Sequence, residues 1–246
     1  MSRASSVDAE GASRVERRKA GWALLLLLPA PSVGAYMFLV GAPDGTIGHL
    51  SYAIAKAYLL LFPIIWYRWV EGGSWSLSPL ASENKRSGVL FGVISGIVIA
   101  TVIVGTHALL GESWVDTERL AAKAKERGFD TWGRYLQLAT FLSLVNSLLE
   151  EYVWRWFVFV QFERLFGRLP SIFLAAAAFT IHHIIALGAQ FDGEVVALGA
   201  AGVFVGSLIW SWSYGRYRSI WPGYLSHIGA DVGVFVVGAR LLFDAF

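Results

Sequence analysis

The chain contains no cysteine, which removes disulfides, thiolate nucleophiles and thiolate metal ligands together and leaves its redox compartment open. Charge is scarce too: Asp, Glu, Lys and Arg make up 15% of the 246 residues, against about 25% in an ordinary soluble domain. The charge that is present has no dominant sign, with 20 basic and 18 acidic side chains for a net charge of +2. Basic residues lie in links and near the amino end instead of along one stripe, so no nucleic-acid partner is expected. No internal repeat or low-complexity tract is evident. What fills the chain is apolar: 56% of it is hydrophobic and its mean hydropathy is +0.55, the composition of a protein whose solvent is lipid.

Seven apolar segments are long enough to span, near 20–41, 47–69, 88–111, 135–162, 170–189, 195–214 and 223–243. A bilayer core of about 30 Å needs about 20 helical residues. The expected fold is all-α, a polytopic transmembrane helix bundle of about seven spans, forming one domain over 20–246 behind a leader at 1–19. The leader ends in "RVERRKA" and could open a secretory signal. The apolar run after it is longer than the usual 7–15 residues and lacks a small-x-small exit, so it reads as an uncleaved anchor. "AAAA" at 175–178 offers the small surface on which helices approach closely in membranes.

Orientation follows from the basic residues. The leader, the second link (Arg68, Lys85, Arg86), the fourth (Arg164, Arg168) and the sixth (Arg216, Arg218) fall on one side if every segment spans. The positive-inside rule then places the amino terminus in the cytoplasm and the carboxyl terminus outside. The protein is thus expected to be an integral, multi-pass membrane protein, of the plasma membrane in a bacterial host. The link 112–134, with five basic and five acidic residues, reads either as an amphipathic helix at the outer surface or as a solvated connector.

The informative residues are the charges inside this apolar frame. "SLLEEYVWRW" at 148–157 carries Glu150, Glu151 and Arg155. Glu151 and Arg155, at i and i+4, can pair; Glu150 is then left with only Asn146, one turn earlier. Glu150 lies about twelve residues, roughly 18 Å, from the cytoplasmic end of its segment. His183 in "FTIHHIIAL" lies thirteen residues along the next one, so the two are expected at one depth. His227 and Asp231 in "SHIGAD" share a helical face somewhat nearer the cytoplasm. His182, Lys56 and His107 read as packing, snorkelling or local hydrogen bonding. Ionisable groups inside a membrane are functional candidates by default. A Glu and a His at one level can hold and deprotonate a water, while a second His donates to a developing oxyanion. That is hydrolase chemistry.

Three patterns occur in order on these segments: "EEYVWR" at 150–155 fits EExxxR, "FTIHH" at 179–183 fits FxxxH, and "HIGAD" at 227–231 fits HxxxN/D. The chain thereby resembles the superfamily of CAAX proteases and bacteriocin-processing enzymes, and is similar to the type II CAAX prenyl endopeptidase. The resemblance covers about 80 residues within a motif-bearing core at 135–243. It implies an endopeptidase embedded in the lipid bilayer, with a cavity open to the cytoplasm and a membrane-anchored or lipidated protein or peptide as substrate, cut near its terminus. Glu150 would activate water, His183 would help hold it, Glu151 and Arg155 would shape the site, and His227 and Asp231 would stabilise the oxyanion. No cofactor is certain. Glu150, His183 and His227 could ligate zinc with water as the fourth ligand, but the helical HExxH arrangement is missing. At position 231 many relatives carry asparagine, whose amide can donate. An ionised carboxylate only accepts, so Asp231 would either donate as a neutral acid or, the favoured expectation, accept from His227 and orient it. Two other readings stay open: a catalytically silent membrane scaffold or bacteriocin-immunity protein, and a transporter using the carboxylates as a proton relay.

Overall fold

The computed structural model of the protein describes residues 3–43, 45–74, 85–111 and 114–243. Among these its only regular structure is helix, and seven long rods follow one another as the apolar runs require. Six are long and apolar enough to cross a membrane: α1 Ser13–Gly41, α2 Thr46–Val70, α3 Arg86–Leu110, α6 Arg168–Gly188, α7 Gly193–Tyr217 and α8 Trp221–Phe243. The helix carrying the first span runs back through the leader to Arg3. A short helix, α4 Thr117–Glu126, occupies the long link. The remaining rod, α5, is helical throughout 132–166 but is not among the six. Glu150, Glu151 and Arg155, with Gln137 and Asn146, dilute its apolar residues.

Lipid offers the backbone no hydrogen bonds, so apolar spans close their own as helices. Between helices, small residues decide where backbones can touch. Gly88, Gly92, Gly96 and Ala100 recur at four-residue spacing along α3, and α8 meets this strip with glycines of its own. A Cβ at Gly229 would lie 2.5 Å from Gly96 Cα, and one at Gly233 2.9 Å from Ala100 Cα. In the alanine run of α6, Ala175 and Ala176 have no exposure at all.

α5 departs from regular α-helix twice. Phe141–Asn146 and Tyr152–Phe159 are π-helical, and the α-helical turn Ser147–Glu151 lies between them. Wide turns of this kind concentrate at functional sites. Val153, Trp154, Arg155, Phe157, Val158 and Phe159 are all buried, so this stretch is enclosed on nearly every side and occupies the centre of the bundle.

The rod ends are tied by polar contacts. At one end Lys19 Nζ donates to the Val70 carbonyl at 2.6 Å, and Glu71 accepts from Gln161 at 2.7 Å and pairs with Arg164 at 2.6 Å. Glu163 there receives both Arg218 terminal nitrogens, at 2.6 and 2.7 Å. The leader and the second, fourth and sixth links thus gather at one end, as alternating spans require. At the other end α4 is capped by Asp116, which accepts from the Arg119 backbone N–H at 2.9 Å. Arg119 pairs with Asp192, and Lys123 donates to the Ala189 carbonyl. The long link therefore holds a helix docked on the turn between α6 and α7, not a free connector.

Candidate active site

The α-helical turn between the two π segments sets the directions of the acidic residues. Asn146 and Glu150, four apart, point the same way, and Asn146 Nδ2 donates to Glu150 Oε1 at 2.9 Å. Glu150 is 9% exposed, and the exposed part faces a cavity of about 310 Å³ between α1, α2, α5, α6 and α8. Its lining combines the polar Lys56, Asn146, Glu150, His182, His183, His227 and Asp231 with apolar residues such as Phe38, Leu59 and Phe235. The expected carboxylate-and-imidazole meeting of α5 and α6 is there: Glu150, His182 and His183 present ligand-type atoms within 4.8 Å of one another.

His183 Nδ1 lies 3.1 Å from the Phe179 carbonyl. A carbonyl only accepts, so Nδ1 carries the hydrogen and Nε2 keeps its lone pair. His182, expected to be a hydrogen-bonded core histidine, lines the cavity beside Glu150. Its ring stacks on Trp154 with centroids 5.4 Å apart and planes 3° from parallel, and its Nε2 lies 3.9 Å from Glu150 Oε1.

Glu151 and Arg155 form the expected pair, 3.3 Å apart and both without exposure. The guanidinium lies over Phe179 at 5.1 Å and Trp210 at 5.5 Å, a cation held by aromatic faces. Glu151 also reaches α8: His227 Nδ1 is 3.2 Å from Glu151 Oε1. Gly223 makes this approach possible, because a Cβ there would collide with Glu151 Oε2. The His227 ring is clamped against Trp210, centroids 4.0 Å apart and planes 18° from parallel. Trp210 in turn donates to Ser226 at 3.0 Å.

Three expectations are corrected here. His227 is not nearer the cytoplasm than Glu150, since its Nε2 lies 3.7 Å from Glu150 Oε2. α5 is longer than a crossing needs, so counting from its end overstated the depth of Glu150. Asp231 does not orient His227: its nearest oxygen is 3.9 Å from Nε2, beyond hydrogen-bond distance, and Glu151 holds the other nitrogen. Glu150 is also less isolated than its own helix suggested. Lys56 Nζ donates to Asn146 Oδ1 at 2.5 Å, placing a cation one side chain away. A lone lysine in the middle of an apolar span was the signal for it.

The zinc set Glu150, His183 and His227 is not the trio brought together; His182 takes the place of His227. Tetrahedral zinc with ligands at about 2.0–2.1 Å requires about 3.3 Å between neighbouring ligand atoms. The 3.9 Å from Glu150 to His182 is wider than this, while one carboxylate and two imidazoles with ligand atoms within 4.8 Å of one another are a donor set that zinc accepts.

Residues 132–233 match the family described as type II CAAX prenyl endopeptidase Rce1-like. The match opens with α5 and takes in every motif residue, so the resemblance read from the motifs holds over the stretch that carries them. That likeness implies a protease in an integral membrane protein. No curated protein and no solved structure gives a significant match.

Proposed function

We propose that the protein is a membrane-embedded endopeptidase that uses Glu150 to activate water against a peptide bond near the terminus of a lipidated, membrane-anchored protein. The observation that carries this is a nearly buried carboxylate opening onto a cavity, with Nε2 of His182 and of His227 3.9 and 3.7 Å from its two oxygens. Prenylated tails are the substrates that the family likeness points to, and the apolar residues lining the cavity suit aliphatic side chains. The amino terminus is cytoplasmic on this reading, from the distribution of basic residues.

Water held between Glu150 and the Nε2 lone pair of His183 gives its proton to Glu150 as its oxygen bonds to the scissile carbonyl carbon. The carbonyl π electrons move to oxygen, and the tetrahedral oxyanion forms. His227, with Nδ1–H held by Glu151, meets it through Nε2; protonated on both nitrogens, the ring donates and balances the new charge. The C–N bond then breaks, and Glu150 returns the proton to the leaving amine. Glu151 and Arg155 keep His227 in place.

Purified protein in nanodiscs, offered a farnesylated peptide with a CAAX-type terminus, is expected to release the terminal tripeptide, detected by mass spectrometry. Glu150→Gln and His183→Ala should each abolish release while leaving the fold intact. Near-parental turnover in either variant removes that residue from the mechanism.

A further inference from the structure

Lys56 stands ten residues after the start of α2 and fourteen before its end, in a span Thr46–Val70. An ammonium at that depth is costly unless it has work there. It does not snorkel outward. Its Nζ lies 5.4 Å from the centroid of the Tyr52 ring and donates to Asn146 Oδ1 at 2.5 Å, while Asn146 Nδ2 donates to Glu150 Oε1 at 2.9 Å. An ammonium has only hydrogens to offer. The asparagine atom facing it is therefore the oxygen, and the amide has no choice but to turn its NH₂ toward Glu150. Without that cation the amide could rotate by half a turn, and its oxygen would repel the carboxylate it now holds.

We infer that Lys56 is a positioning residue for the catalytic carboxylate: by locking the Asn146 amide it makes Glu150 Oε1 the held oxygen and leaves Oε2, beside His227, for the water. The inference rests on the proposed role of Glu150. A competing role, binding a substrate's terminal carboxylate, sits badly with the geometry. Each residue beyond the scissile bond carries an extended chain about 3.3–3.6 Å farther, whereas only the Asn146 side chain separates Lys56 from Glu150.

The test uses the full chain in nanodiscs with Lys56→Met, Lys56→Arg, Asn146→Ala and the double variant Lys56→Met/Asn146→Ala. Cleavage by the parent and its loss in Glu150→Gln establish the underlying reading first. Lys56→Met is then expected to lower kcat about tenfold or more, with KM changed by less than about twofold. Lys56→Arg should restore most of the rate, and the double variant should be no slower than Asn146→Ala alone. Unchanged kcat in Lys56→Met overturns the inference. So does a raised KM at constant kcat, which would make Lys56 a contact for an anionic substrate group, and so do losses that multiply in the double variant. A second readout needs no turnover. In protein labelled with ¹⁵N-asparagine, the Asn146 side-chain amide signals, identified by their disappearance in Asn146→Ala, should move in Lys56→Met and in Glu150→Gln. Signals that stay in place in Lys56→Met overturn the inference even where the parent cleaves no peptide offered. The same readings apply to Lys56→Gln if the methionine variant does not fold.

Discussion

Replacing Arg155 with methionine keeps most of the aliphatic stem and removes only the guanidinium. Arg155 and Glu151 are both without exposure and lie 3.3 Å apart. The substitution therefore leaves a carboxylate enclosed in the bundle with His227, among the described residues, as its one remaining partner. Breaking a buried pair from one side costs about 3–5 kcal/mol, or roughly two to nearly four orders of magnitude in the folding equilibrium. The lost contacts over Phe179 and Trp210 are desolvated and add about 2 kcal/mol or more, so the double variant is needed to separate them from the stranded carboxylate. Unfolding by SDS in mixed micelles, followed through the fluorescence of the 11 tryptophans, reads this directly. The double variant Glu151→Gln/Arg155→Met should regain most of the stability, because both charges leave together. It should stay inactive, because the glutamine oxygen can still accept from His227 Nδ1–H but no longer supplies the negative charge that favours the doubly protonated ring. An Arg155→Met protein as resistant to SDS as the parent, or a double variant no more stable than the single one, would refute the argument.

Gly229→Ala places a Cβ against backbone atoms of Gly96, the nearest at 2.5 Å, and backbone cannot step aside. It should destabilise by about 1–3 kcal/mol in the same titration, and unchanged stability would mean that α3 and α8 are not in backbone contact. Asp231→Asn should cleave at least as fast as the parent, since the carboxylate 3.9 Å from His227 Nε2 opposes an oxyanion there and an amide can donate; a large loss of rate would show that the negative charge is needed. Reporter fusions near Glu83 and after Phe246, both outside the described residues, should read cytoplasmic and extracytoplasmic respectively. The same side for both would remove one span.

The rods were readable because lipid demands long apolar helices and little else has that signature; even α5 was placed, as the apolar run 135–162. The Glu151–Arg155 pair was readable because i, i+4 geometry is local. Less local features escaped. The link from His227 to Glu151 joins residues 76 apart, and that from Lys56 to Asn146 spans 90; helix period and hydropathy say nothing about which faces of distant rods meet. Asp231 was given the role of Glu151 because it was the carboxylate nearest His227 along the chain. The π turns in α5 have no residue signature at all, since they differ from α-helix only in which carbonyl each N–H finds. The glycine strip of α3 was visible as letters but acquires meaning only opposite Gly229 and Gly233.

The weak apolarity of α5 has a consequence for how the protein is made. It emerges from the ribosome before the three helices that follow it, and its own side chains do not carry it into lipid as those of its neighbours do. Of the groups that neutralise its charges, Lys56 has already been synthesised, whereas His182 and His227 have not. A nascent chain stopped short of α8 thus holds Glu151 with Arg155 as its one partner among the described residues, and the translocon or the earlier helices must shelter the pair meanwhile. Arrival of the last helix closes the ring around α5. Shelter for Glu151 and completion of the cavity therefore arrive in one step, because the last helix brings both the His227 contact and the residues that finish the lining around Glu150.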